Sequence, residues 1–302
     1  MSEGLLTLGR RYVRDACLYA AKEALVGRFL NDALRERPRQ RVAGGPLGTR
    51  FALDTRDLIQ RYLYLFGVWE PHVTRWLESR LRPGDVMVDV GANIGVFSVL
   101  ASRLVGETGR VVAVEASPAF HQRLLQHVEL NGCRNVRAVN AAVSDRREKL
   151  RFVLASSANM GANSIVPYEG PAESSFEAEA LPLTEVLELD EVVRARVVKV
   201  DVEGAEGAVV RGLEPLLDLI PPDAEIAVEV TPERMARLGE SAEELLGTMR
   251  RHGFHVYRLP NDYAPAAYAR AVRHPVAPVR WRGPIEGETQ LIFSRVDAEQ
   301  LD

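Results

Sequence analysis

Short apolar runs rich in β-branched residues recur through the middle of the chain, at Val86–Val90, Val111–Glu115, Val136–Val139, Val197–Asp201 and Ala224–Val230. Phe254–Arg258 and Gln290–Phe293 follow them. Runs this short, bounded by turn residues, predict strands covered on both faces. The stretches between the early runs have helical spacing: Val96–Leu104 follows the first, and Pro118–Leu130 starts with serine as cap and proline in the first turn. Strands alternating with helices predict a mostly parallel, doubly wound α/β sheet with helices on both faces.

Ahead of this core, residues 5 to about 36 have helical periodicity, with Leu5, Leu8, Tyr12 and Ala16 on one stripe and Arg10, Arg11 and Arg14 off it. Such helices suit packing on the domain or on a second copy of the chain, so a homo-oligomer formed through them is the expected assembly, if there is one. Arg37–Gly48, rich in proline and glycine, predicts a loop, Phe51–Leu53 a short strand, and Asp57–Phe66 and Val73–Arg80 two more helices. The expected organisation is an N-terminal helical extension and linker over 1–69 and a catalytic domain over 70–302. Lys149–Leu154 predicts an extra strand, and Ala155–Pro182 a polar loop whose Asn159–Ser164 segment is placed to cover an acceptor.

The chain has 302 residues and 46% apolar content, enough for a full α/β core. A net charge of −4 argues against general nucleic-acid affinity. Two cysteines, Cys17 and Cys133, form no disulfide framework, which points to the cytoplasm, and no apolar run approaches a membrane span. Only Lys22, Lys149 and Lys199 among the 38 basic residues are lysines, and Lys199 alone lies inside a motif.

Chemistry enters at Asp89-Val90-Gly91-Ala92-Asn93-Ile94-Gly95, where a strand ends in a glycine turn. A dinucleotide fingerprint wants a further glycine where Asn93 stands, and a carboxylate beside the turn repels phosphate. Asp89 instead suits a cation, which favours S-adenosylmethionine, with its sulfonium and α-ammonium, over NAD. Glu115, about twenty residues beyond the turn, has the spacing of an acidic residue that grips a ribose diol. That diol is common to both cofactors, so NAD-dependent oxidoreduction stays an alternative, as does a non-catalytic scaffold that keeps the fold.

Val197-Val198-Lys199-Val200-Asp201-Val202-Glu203-Gly204-Ala205-Glu206 is more particular. Together with Asp89–Ser98, Glu115, Asn140–Ser144 and Leu181–Leu187, it resembles the FkbM-type methyltransferases. The resemblance covers roughly residues 70–230. It implies a Rossmann-like class I methyltransferase fold with a seven-stranded sheet, its last strand, Gln290–Phe293, running antiparallel. It implies O-methylation of a hydroxyl on a small sugar-like, glycolipid or secondary-metabolite acceptor. It places Asp89, Gly91, Asn93 and Gly95 around the methionyl portion, Glu115 on the ribose, and Asn140, Ala141 and Ala142 near the adenine. Ala92, Phe97, Ser98, Ala116 and Ser117, their neighbours in the same motifs, are expected in the cofactor site with them. Glu70 belongs to the entrance segment, where it would close over the cofactor's amino group, and Asp201 faces the cleft beside the cofactor.

A neutral hydroxyl is a poor nucleophile, so a group that takes its proton is expected. Asp201, Glu203, Glu206 and Glu229 stand at strand ends, and Asp201, Lys199 and Glu229 are the catalytic candidates. Lys199 and Asp201 share side-chain parity and are expected to pair, either to orient the aspartate or as a structural ion pair. Asp201, Glu203 and Glu229 offer hard oxygen ligands for a divalent cation, but nothing fixes their geometry, and a metal is not favoured. His72 is kept as a base candidate, and His121 and His127 are expected at the surface.

Overall fold

The computed structural model describes residues 3–15, 20–154, 163–164 and 174–302. Ala16, Cys17 and the 159–162 part of the expected acceptor-side loop lie outside the described residues. The chain opens with α1 (Glu3–Asp15), α2 (Ala20–Glu36), a hairpin of β1 (Gln40–Gly44) and β2 (Arg50–Asp54), α3 (Leu58–Phe66) and α4 (Pro71–Arg80). The core continues with β3 (Val86–Val90), α5 (Val96–Val105), β4 (Arg110–Val114), α6 (Pro118–Leu130) and β5 (Val136–Val139). A small sheet follows, made of β6 (Ala142–Val143), β7 (Glu148–Leu154), β8 (Asn163–Ser164) and β9 (Ser174–Leu181). Then come α7 (Leu183–Val186), α8 (Leu189–Val193), β10 (Ala195–Val200), α9 (Glu206–Leu213), β11 (Glu225–Val230), α10 (Pro232–Arg237) and α11 (Ala242–Arg251). The chain finishes with β12 (His255–Leu259), α12 (Pro265–Arg273), β13 (Val279–Arg280) and β14 (Thr289–Ser294).

The large sheet has the order β13-β12-β14-β11-β10-β3-β4-β5. Neighbours from β11 to β5 pair in parallel, whereas β14 is antiparallel to both β11 and β12. This is the class I methyltransferase arrangement of seven strands with one reversed, and the two-residue β13 adds an edge to it. From β3 the chain winds outward through β4 and β5, then returns to lay β10 on the other side. The carboxyl ends of β3 and β10 therefore flank the point where winding reverses, the place where open α/β sheets form a crevice.

Strand alternation builds a core on each face. Met87, Val111, Val197, Ala227 and Ile292 pack with α3, α4 and α5, as well as with Leu6, Leu30 and Phe51 from the N-terminal segment. Val88, Val112, Val198, Val228 and Phe293 pack with Val209, Leu245 and Met249 of α9 and α11. Where β11 meets α4, the buried Glu225 carboxylate accepts from Trp76 Nε1 at 2.6 Å and pairs with Arg80 Nε at 2.8 Å.

Three local expectations change. The Ala155–Pro182 stretch is not a loop throughout: Phe176, Ala178 and Ala180 alternate with Glu177 and Glu179, and this period of two forms β9 against β7 and β6. Glutamates on its outward positions disguise that strand. Arg37–Gly48 likewise contains β1, because its glycines and proline turn a hairpin with β2. On α1 the packed residues are Leu6 and Val13, with Gly9 against Leu30, while Leu5 and Leu8 stay 61% and 67% exposed. No helix among the described residues is long and apolar enough to cross a membrane.

Candidate active site

A cavity of about 270 Å³ opens at the carboxyl ends of β3, β4, β10 and β11. Its floor begins with the turn after β3. Gly91 has φ +81°, and a Cβ there would come within 1.8 Å of the Asp201 carbonyl oxygen, so the residue lets the exits of β3 and β10 touch. Asn93 also takes positive φ, +52°, which aims its N–H across the turn at Glu115. Gly95 caps α5 with its Cα facing Leu124, where a Cβ would meet Cδ1 at 2.3 Å.

Glu115, just past β4, lines the cavity with both oxygens already fixed: Oε2 accepts from Asn93 N–H at 2.7 Å and Oε1 from Ser117 N–H at 2.8 Å. Each oxygen keeps a lone pair. Burial pushes the carboxyl up to about 7, and the two backbone N–H groups oppose that rise. Asn140 Nδ2 donates to the Glu115 carbonyl at 2.8 Å, holding the β4 exit against β5. Ala116, Ala141 and Ala142 complete this wall, with Phe152 and Phe176 of the small sheet beyond them, their rings stacked at 5.0 Å.

Strand register gathers the charged side chains. Lys199 is paired with Asp89 on β3, and parity turns both toward the face that carries Met87 and Val197. Lys199 Nζ donates to Asp201 Oδ2 at 2.8 Å and lies 5.0 Å from the Phe97 ring centroid. Burial works against its ammonium, but Asp201, Glu70 and Asp89 outweigh it and hold the lysine above its ordinary range. Asp201 and Glu229 reach the cavity wall; Asp89 and Lys199 lie behind it. Asp89 Oδ2 accepts from Ser98 Oγ at 2.5 Å, and its carboxyl is raised by burial against the pull of Lys199.

Of the residues singled out in the sequence, Glu70, Gly91, Asn93, Glu115, Ala116, Ala141, Ala142, Asp201 and Glu229 come together around the cavity. Asp89, Ala92, Gly95, Phe97, Ser98, Ser117, Asn140 and Lys199 stand off it and support those that line it; Ser117 Oγ, for example, caps α6. Glu206 is buried and raised to about 7 by burial, and its Oε1 accepts from Gly204 N–H within its own turn. Glu203 lines the wall at φ +59° and pairs with Arg234.

His72 is off the cavity, where Nδ1 accepts from Val276 N–H at 2.9 Å. His127 is buried rather than at the surface. Its Nδ1 meets the Ile94 carbonyl at 2.7 Å and its Nε2 faces the backbone of Ala52, so it ties α6 to β2 and to the β3 turn. Burial holds it below the ordinary histidine range. Among the described residues no group of three or more His, Cys, Asp or Glu side chains is arranged to hold a metal ion.

Several residues on or beside the cavity wall gave no signal in the sequence. Trp69 and Tyr263 stack at 5.2 Å with 14° between their planes, and Tyr263 donates to Glu70 Oε1 at 2.6 Å. Asn261 Nδ2 lies 3.4 Å from Glu229 Oε1 and 2.7 Å from Tyr263 Oη. Nearly two hundred residues separate this loop from Glu70, so only the β12 exit beside β14 reveals it. Glu229 is raised well above its ordinary range, first by burial and then by Asp201, Glu70 and Glu288.

A family model described as the methyltransferase FkbM domain matches residues 89–256. The hexuronic acid methyltransferase AglP of Haloferax volcanii is 28% identical over 225 residues, which span 70% of this chain and 86% of that protein. Among solved structures, an S-adenosylmethionine-dependent O-methyltransferase from Thermotoga maritima superposes with a TM-score of 0.42 at 14% identity, covering 89% of this chain and 82% of the other. Precorrin-6y C5,15-methyltransferase from Geobacter metallireducens gives 0.41 at 16% identity, with 73% and 85% covered.

Proposed function

The chain belongs to the FkbM methyltransferase family and is an S-adenosylmethionine-dependent methyltransferase, and from that premise we propose that it methylates a hydroxyl oxygen of a sugar-like acceptor. The observation that carries the reading is the carboxylate pair Asp201 and Glu229 lining the same cavity as Glu115. The residues present fit the cofactor: Gly91 leaves room that a Cβ would fill, and Glu115 offers two oriented acceptors to a diol. Glu115 would hold the ribose, Ala116, Ala141 and Ala142 would flank the adenine, and the Gly91–Asn93 turn would meet the methionyl end. When bound, S-adenosylmethionine supplies a methyl carbon activated by a sulfonium.

The chain's own residues do the rest by positioning and proton transfer. Lys199 fixes Asp201 through Oδ2, which leaves Oδ1 to accept a hydrogen bond from the acceptor hydroxyl and orient its oxygen. Glu229, made more basic by burial and by like charges, takes the hydroxyl proton as the oxygen becomes an ether. Trp69, Phe152 and Phe176 exclude water from the cavity. The sugar-like acceptor is supported by the relative that acts on a hexuronic acid.

The test is incubation with S-adenosylmethionine and a panel of hexuronic acids and neutral hexose glycosides, with the product assigned by NMR. A methyl ether on a ring hydroxyl supports the reading. Transfer only to nitrogen or carbon acceptors overturns it.

A further inference from the structure

Arg234 is the one basic side chain among the described residues that line the cavity. It stands on α10, five residues beyond Glu229, and its Nη1 forms an ion pair with Glu203, which follows Asp201 by two residues. The pair therefore bridges the exits of β10 and β11, the two strands whose carboxylates orient the hydroxyl and take its proton. Glu115 stands past β4, three strands from β11 in the order β11-β10-β3-β4, about 14 Å at the usual strand spacing. With the ribose at Glu115 and the methionyl end at the turn after β3, the wall around Arg234 falls to the methyl acceptor.

Stability does not account for this pair. Glu203 holds φ +59°, a left-handed conformation that costs a residue with a side chain more than a partly exposed ion pair contributes. The Arg234 side chain is 33% exposed, so a ligand in the cavity can reach it. No other oxygen among the described residues takes a hydrogen bond from its guanidinium, and the Nε–Nη2 edge is left with two parallel N–H donors. Carboxylate and phosphate both match such an edge. The neighbouring Asp201, Glu203 and Glu229 decide between them, because they repel a monoanion less than a phosphate of nearly twice the charge. They also repel an anion from the rest of the wall, so an acid group has one place to sit and its seat orients the ring.

We propose that Arg234 binds a carboxylate of the methyl acceptor, which makes that acceptor an acidic sugar rather than a neutral or a phosphorylated one. The assignment rests on the hydroxyl-methylation reading and narrows its substrate class. Arg234 touches the substrate; Glu203 is a positioning residue that holds one side of the guanidinium and leaves the other to the ligand.

The test compares kcat and KM for methyl glycosides that differ at C6 alone, a hexuronate, the parent hexose and its 6-phosphate, across the common hexose configurations, alongside calorimetry with S-adenosylhomocysteine. Wild type is expected to favour the hexuronate over the hexose by about 10- to 100-fold in kcat/KM, the worth of a charge-assisted hydrogen bond. Arg234→Met should remove that preference by raising KM for the hexuronate, and Arg234→Lys should keep part of it, since a point charge replaces the fork. Glu203→Gln should act in the opposite sense and lower KM for the hexuronate by about 3- to 10-fold, because a competing carboxylate is gone. A merely structural pair would not give opposite shifts, so weakening of hexuronate and hexose alike by both Arg234→Met and Glu203→Gln overturns the proposal. So does a wild-type preference for the hexose or its 6-phosphate. Loss of S-adenosylhomocysteine affinity in Arg234→Met also overturns it, since the guanidinium would then serve the cofactor. If S-adenosylhomocysteine bound but no glycoside were methylated on oxygen, the hydroxyl reading itself would fall and the acid site with it, a result distinct from the others.

Discussion

Lys199 and Asp201, two residues apart at the end of β10, form an ion pair of 2.8 Å in which the lysine is 2% exposed and the aspartate opens onto the cavity. The lysine is also the counter-charge that draws on Glu70 and Asp89. Lys199→Met should therefore cost more than one lost contact, about 2–4 kcal/mol after allowing for the partly exposed aspartate. Urea unfolding at pH 7 measures it. A change below about 0.5 kcal/mol would mean that the pair is incidental to the fold.

Separating the two carboxylates is a matter of kinetics. Asp201→Asn should lower kcat with little change in S-adenosylmethionine affinity. In wild type kcat should rise with pH through a group above the ordinary carboxylate range, because the base must lose its proton and burial raises Glu229. Glu229→Gln should lower kcat and abolish that limb. A limb that persists in Glu229→Gln would remove Glu229 from the base role.

Glu115 makes stability depend on pH in a stated direction. Its carboxyl is raised in the folded state from 4.5 to about 7, so the stabilisation from its protonated form is full below pH 4.5 and is lost as pH rises through 7. Glu115→Gln removes the ionisation; its amide nitrogen cannot accept the second backbone N–H, which lowers its stability by an amount that does not vary with pH, so the pH-dependent part of the difference from wild type is what reports the carboxyl. Without ligand, this variant should gain stability relative to wild type between pH 5 and pH 8 by up to about 3 kcal/mol. Thermal unfolding at the two pH values checks this, and a difference that is flat with pH would show the carboxyl to be ordinary.

Gly91→Ala tests the contact between the β3 and β10 exits. The added Cβ would meet the Asp201 carbonyl, and φ +81° is unfavourable to alanine, so backbone must move. The expected cost is about 2–4 kcal/mol, with loss of cofactor binding because Asp201 and Asn93 shift together. Unchanged melting and ligand affinity would contradict the close approach.

The parallel core was legible because valine runs buried on both faces leave few other options, and the paired lysine and aspartate followed from strand parity. Glu115 was legible by its spacing from the turn. The small sheet was less so: β9 carries glutamates on one face and alanines on the other, and its burial comes only from docking on Ala142 and β7. His127 was misread because its buried partners are backbone groups of Ile94 and Ala52, which no helical pattern announces. The bond from Tyr263 to Glu70 depends on a loop some 190 residues away, brought close only because β14 reverses between β11 and β12. Asp89, prominent in the motif, turned out to face Ser98 and Lys199's strand instead of the cavity.

The most direct measurement is parallel calorimetric titration of the purified chain with S-adenosylmethionine, S-adenosylhomocysteine and NAD. Binding of both adenosyl ligands at one site, lost in Glu115→Ala and not reproduced by NAD, is the predicted result. Binding of NAD in place of the adenosyl ligands, or adenosyl binding that Glu115→Ala leaves intact, would contradict the account of this cavity.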